Sequence, residues 1–196
     1  MKICDYIREI DLRMPNSFTD DEKISFLNHT LREMYKICSK ELEHKAAADD
    51  EILLPEGIDG DSIRAVFVGE SEYFERGKVR RAKGEYEISE RRMHLLPPAK
   101  SEAVIKYTPL VLFKTIGEIT ADGNIEEKNK AYENQNGNIP DKYAEILILG
   151  AVYKAALAAE DTTLAASYKM WYEERRLRIM LDRYKKGTYP VTKIVR

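Results

Sequence analysis

Apolar residues recur every three or four positions from Ile24 to Leu42, alternate with polar neighbours around Ile63–Phe67, and return to the longer spacing from Tyr143 onward. A period near 3.6 belongs to helix and a period of 2 to strand. The chain therefore runs helix, strand, helix. This order constrains the fold most: the β stretch is expected as an insert in a body built from the two helical ends.

The N-terminal part opens with a short helix over Lys2–Leu12, apolar at Ile3, Ile7 and Ile10. Pro15 ends it and holds Met14 extended. Thr19 followed by Glu22 forms a capping box, and Asp20, Asp21 and Glu22 suit the positive end of a helix. The spacing Ile24, Leu27, Leu31, Met34, Cys38, Leu42 predicts one helix from Asp20 to about Lys45.

From Glu51 to Leu112 the text is short strand-like runs broken by Pro55, Gly60, Gly69, Gly77, Gly84 and Pro97-Pro98. This predicts an antiparallel β insert of four to six strands over 51–112. Residues 113–138 are rich in Gly, Asn and Glu and are expected as a mobile loop. Pro140 opens a further helix near its first turn. Glu160-Asp161-Thr162-Thr163 then turns the chain into a last helix that stops at Gly187, so the two form an αα-hairpin. Gly150, Ala151, Ala155 and Ala156 are small enough for close helix approach.

The expected fold class is thus α+β, mainly a helical bundle (1–48 and 139–187) with the β insert, the 113–138 loop and a tail over 188–196. Leu27, Leu31, Met34, Cys38, Ile146, Leu147, Gly150, Tyr168, Trp171 and Tyr172 are expected to meet in one core.

With 196 residues the chain can bury a core without cross-links, and its two cysteines exclude a disulfide scaffold. The N-terminus lacks the apolar run of a signal peptide. The most apolar window, Ala144–Ala159, is interrupted by Glu145 and Lys154. A soluble, intracellular protein is expected. The net charge of −2 excludes nucleic-acid binding driven by overall charge.

Charge is nonetheless segregated. Residues 43–75 carry ten acids against two bases, 76–106 nine bases against four acids, and 173–196 eight bases against three acids. The basic stretches could meet nucleic acid, or acidic and basic surfaces of neighbouring copies could meet each other.

Catalytic patterns are missing. No glycine-rich phosphate loop, CxxC or HExxH occurs, and His29, His44 and His94 lie in separate segments. Asp49-Asp50-Glu51 and Asp59/Asp61 could hold a divalent ion, but such loop acids ordinarily only solvate a turn. No catalytic residue, cofactor or metal is assigned, and a non-enzymatic role is expected.

The order of elements, with D-D-E-K-I-S-F-L-N-H-T-L-R-E-M-Y-K-I over 20–37, I-P-D-K-Y-A-E-I-L-I-L-G-A-V-Y-K-A-A-L-A-A-E-D over 139–161 and S-Y-K-M-W-Y-E-E-R-R-L-R-I-M over 167–180, resembles the head–tail connector (adaptor) proteins of tailed bacteriophages. The resemblance covers both helical ends and, by position only, the β insert. It implies a virion protein, assembled in the host cytoplasm as a ring, commonly a dodecamer, beneath the portal. There it would contact the portal, a tail or stopper protein and its own copies, while genome DNA passes without sequence-specific binding and no membrane is involved.

On that reading Asp49, Asp50, Glu51, Asp59 and Asp61 are expected to rim the channel. Arg183, Lys185, Lys186, Tyr189, Val191, Lys193, Ile194, Val195 and Arg196 are expected to bind the portal or a neighbour. The alternatives are a nucleic-acid-binding regulatory or packaging-associated protein and a soluble α+β interaction domain.

Overall fold

The computed structural model describes residues 1–47, 49, 51–56, 58, 60–79, 82–119 and 125–185. Two compact units emerge: residues 1–39 together with the chain from 111 onward, and residues 40–110.

The first unit is helical, with α1 (Ile3–Arg13), α2 (Asp20–Cys38), α3 (Ile125–Glu133), α4 (Ala144–Ala158) and α5 (Thr162–Lys185). The capping box that opens α2 is present: Glu22 N–H donates to Thr19 Oγ1 at 3.3 Å, and Thr19 N–H donates to the Glu22 carboxylate at 2.7 Å. α4 is apolar almost all round. Ala144, Ile146 through Val152, Ala155 and Ala156 are buried, as expected of a helix surrounded by others. Helices α1, α2 and α5 pack on it.

At Gly150 a Cβ would sit 2.3 Å from the Thr30 methyl and 3.0 Å from the Tyr172 ring, so α2 crosses α4 where only glycine fits. Asp161 caps α5, its Oδ1 accepting from Leu164 N–H at 2.9 Å.

Two expectations are corrected in this unit. The predicted α2 ran to Lys45, but the helix ends at Cys38 and Ser39 is extended (ψ 153°). Leu42 prolongs the helical spacing by coincidence, because Leu42–Ala46 forms strand β1, paired with Tyr107–Ala103. The span 113–138 was expected as a mobile loop. Phe113 is buried and exchanges two hydrogen bonds with the Asn28 amide, Gln135 does the same with the Lys114 backbone, and 125–133 is helical.

The second unit is a seven-stranded sheet of β1 (Leu42–Ala46), β2 (Glu51–Leu53), β3 (Ile63–Val68), β4 (Ser71–Glu75), β5 (Glu85–Ser89), β6 (Arg92–Leu96) and β7 (Ala103–Tyr107), in the order β1-β7-β3-β4-β5-β6-β2. Side chains alternate as a sheet demands. Met93 and Leu95 of β6 and Ala103 and Ile105 of β7 point into an apolar core with Val66, Tyr73 and Tyr86.

Strands β1 and β2 stand at opposite ends of this order, yet only residues 47–50 join them. Seven flat strands would separate those edges by about 29 Å at about 4.8 Å per strand. The link can span no more than about 17 Å. The sheet must therefore curl until it is nearly closed.

This unit overturns the expected fold class. A mainly helical bundle carrying an antiparallel insert is replaced by an α+β chain in which a nearly closed mixed sheet has its own core. The mixed character comes from β4 and β5, which run parallel, with Phe74 opposite Glu85 and Glu75 opposite Tyr86. The connection over 76–84 returns the chain to the same end of the sheet. Gly84 lets it pass the Tyr73 ring, which lies 2.6 Å from where a Cβ would be. Turn residues reveal that the chain reverses but not which strand it reverses onto. Among the described residues, no helix is long and apolar enough to cross a membrane.

Candidate assembly surface

Helix α5 has two apolar faces. Ala165, Tyr168, Tyr172 and Ile179 are buried against the rest of the helical unit. On the far side stand Met170, Leu177, Leu181 and Tyr184, 58–63% exposed. At 100° per residue these four fall within about 60° of arc, opposite the buried face, and extend about 21 Å along the axis. Trp171 flanks them. It was expected in the core but is 45% exposed, its ring edge-on to Tyr168 with centroids 5.0 Å apart. Exposed apolar stripes of this kind on a surface helix are features that interaction sites use.

The inner face is held by polar ties as well as packing. Glu33 of α2 accepts from Lys154 Nζ at 3.0 Å and from Tyr172 OH at 2.9 Å, with His29 Nε2 3.4 Å away. Desolvation opposes ionisation of Glu33, but the hydrogen bonds from Lys154 and Tyr172 and the Lys154 charge outweigh it and hold the carboxyl below its ordinary value. Desolvation, then the Glu33 carboxylate, raises the Tyr172 hydroxyl. Arg13 of α1 makes a bidentate pair with Glu145 of α4 at 2.8 and 2.9 Å. The Tyr172–Glu33 bond ties α5 itself to α2, and the other pairs tie together α1, α2 and α4, on which α5 packs.

The residues expected to bind a portal or neighbour fall partly on this helix. Arg183 donates to the Lys36 carbonyl at 3.3 Å and lies over the Tyr143 ring, so it also braces the helical unit. Lys185 is exposed at the end of α5. Lys186, Tyr189, Val191, Lys193, Ile194, Val195 and Arg196 lie outside the described residues.

Of the expected channel acids, Asp49 is exposed between β1 and β2. Glu51 of β2 pairs with Arg92 on β6 and lies 3.8 Å from His94. Asp61 lines a cleft of about 660 Å³ with Arg76, Lys78, Tyr86 and Ile88. Asp50 and Asp59 lie outside the described residues. The cleft is ringed by charges already paired, Arg76 with Glu87 at 3.0 Å and Lys78 with Glu75 at 3.1 Å. Among the described residues, no three His, Cys, Asp or Glu side chains are grouped to hold a metal ion.

Sequence reasoning missed a second feature of the helical unit. Between α1 and the start of α2 runs a groove of about 410 Å³ lined by Cys4, Ile7, Arg8, Asp11, Leu12 and Asp20. Leu12 is 71% exposed beside it. Lys23, buried beneath, bonds Asp11 at 2.8 Å. The spacing of four between Arg8 and Leu12 was visible in the sequence. The signal for the α5 stripe was the recurrence 170, 177, 181, 184 offset from 165, 168, 172, 179, two helical sets in one segment. No protein-family model matches the chain, and no characterised protein matches it significantly.

Proposed function

We propose that this chain is a structural subunit of a tailed-bacteriophage head–tail adaptor. In this reading copies assemble side by side beneath the portal, prolong the DNA channel and offer the tail, or a stopper protein, its seat. The protein would meet the portal in the host cytoplasm and remain in the virion.

The observation that carries the reading is the second apolar face of α5. A helix anchored on one side by Tyr168, Tyr172 and Ile179 and apolar on the other is suited to a chain completed by neighbours. Segregation of acidic and basic stretches along the sequence supports the same reading, because side-by-side contacts use opposite charge.

The test is native mass spectrometry of the purified chain mixed with portal rings from the same phage. The reading expects mass added in steps of one 22.7 kDa chain up to a fixed ring number. Rings that stay bare refute it. Affinity for free duplex DNA that falls steeply with salt would instead favour a nucleic-acid-binding role.

A further inference from the structure

The outer stripe of α5 is interrupted by acid. At about 100° per residue Glu173 and Glu174 lie about 50° to either side of the stripe's centre, while Arg175, Arg176 and Arg183 turn toward the buried face. The two glutamates are 45% and 65% exposed. Each meets an arginine of its own helix through one carboxylate oxygen, Glu173 with Arg176 at 3.5 Å and Glu174 with Arg178 at 2.9 Å. A carboxylate has a second oxygen, which can accept from a base brought by another segment. Along the axis the face is thus apolar at Tyr184, Leu181 and Leu177, acidic at Glu174 and Glu173, and apolar again at Met170. A segment that fits it carries a base between apolar groups.

The chain beyond α5, outside the described residues, has that pattern. It reads K-G-T-Y-P-V-T-K-I-V-R over 186–196 and contains no acid. Pro190 cannot continue a helix, and Val191, Thr192, Ile194 and Val195 are β-branched and favour extended backbone. In an extended chain residues two apart share a side and stand about 6.6 Å apart. Tyr189, Val191, Lys193 and Val195 then form one row: aromatic, apolar, basic, apolar. With the row antiparallel to α5 and Val191 at Leu177, Lys193 falls about 6.6 Å further on, where Glu174 and Glu173 lie about 4.5–6 Å along the axis. Val195 falls about 13 Å on, beside Met170 at about 10.5 Å, and Tyr189 falls about 6.6 Å back, at Leu181. The nine residues 188–196 can reach about 30 Å, enough to cover the stripe from end to end.

We propose that in the ring the C-terminal tail of one copy, residues 188–196, lies extended along the outer face of α5 of the next copy. The inference rests on the adaptor reading for the existence of the ring, and concerns what closes each contact in it. A ring contact joins two different surfaces of the same chain, because the copies are related by rotation and not by a twofold axis. The tail and the outer face of α5 are two such surfaces, matched in apolar spacing and opposite in charge. Folded back on its own helix, a tail would use both at once and leave neither for a neighbour. Handed on, each copy gives one and receives one.

Cys38 is buried, so with Cys4→Ser in every chain an added cysteine reacts alone. Met170 is 63% exposed, and Met170→Cys leaves the core intact. Portal rings are loaded with equal amounts of one chain carrying Met170→Cys and another carrying Val195→Cys, then mildly oxidised. The proposal expects a disulfide between residue 170 of one chain and residue 195 of the other, located by peptide mass mapping. Its yield should be several times that of Val195→Cys paired with Ile125→Cys, an exposed site on α3. Independently, Lys193→Glu should lower ring loading several-fold, and Glu173→Lys with Glu174→Lys in the same chain should restore it. A 170–195 yield in loaded rings no higher than the control overturns the tail assignment and leaves the adaptor reading standing. So does a chain carrying both cysteines that closes only within itself, which would make the tail a strap on its own helix. Should the cysteines themselves prevent loading, the charge exchange decides, and no loss with Lys193→Glu or no rescue overturns the proposal. Rings left bare by the unaltered chain refute the adaptor reading. The cysteine pair is then oxidised in concentrated solution, where a 170–195 link between chains supports the tail contact and its absence overturns that too.

Discussion

Gly150→Ala is the smallest change that tests how the helical unit is packed. The added methyl would lie 2.3 Å from Thr30 Cγ2, 2.9 Å from Thr30 Oγ1 and 3.0 Å from the Tyr172 ring. Thr30 is fully buried and its hydroxyl is tied to the Phe26 carbonyl, so neither atom can swing away. The helices must part, which also strains the bond from Tyr172 to Glu33. Alanine gains about 1 kcal/mol over glycine in helix propensity. Overpacking costs about 1–3 kcal/mol, and a contact this short belongs at the top of that range. A net loss of about 2 kcal/mol, or a melting temperature lower by about 4–8 °C, is expected by calorimetry. Thr30→Ala removes both opposing atoms, so the double variant should recover most of the loss, with a coupling energy of about 1 kcal/mol or more. A melting temperature raised by Gly150→Ala, or additive effects in the cycle, would refute the close-approach argument.

Four further outcomes follow from named groups. The Glu33 carboxyl is held below its ordinary value of 4.5, so its stabilising contribution is complete above that pH and is lost as pH falls through the lower folded value. Urea unfolding at neutral and acid pH should therefore show a smaller acid loss in Glu33→Gln than in the unaltered chain. Removing the α2 cap with Thr19→Ala should cost about 1 kcal/mol in the same assay. Burial pushes the Cys38 thiol up to about 12, so a maleimide at neutral pH should label Cys4 alone in the folded chain and both thiols in denaturant. Gly84→Val should disrupt the sheet unit by displacing the Tyr73 ring, seen as loss of protected amides in 40–110 while those of α4 persist.

Local chemistry was readable from the sequence. The Thr19–Glu22 box and the Asp161 turn each depend on residues within three positions of one another, and both form as expected. The close approach at Gly150 was readable because it depends on one missing side chain. What could not be read depends on partners distant in sequence. Leu42 continued the α2 spacing, yet pairing of Leu42–Ala46 with Ala103–Tyr107 decided its structure. The parallel meeting of β4 and β5, and with it the sheet order, has no local signature. The polar α3 buries no residue and so offered no apolar period to find. On α5 the apolar residues were visible, but Trp171 was assigned inward, and only the burial of Tyr168, Tyr172 and Ile179 separates an inner face from an outer one.

If copies assemble as proposed, the outer face of α5 is covered in the ring. Hydroxyl-radical footprinting of Met170, Trp171, Leu181 and Tyr184, in the free chain and in portal rings loaded with it, measures this directly. Rapid oxidation of all four is expected in the free chain and several-fold protection in the ring, while exposed Ile125 on α3 reacts equally in both. Equal oxidation of the α5 residues in free and ring-bound chain would contradict it.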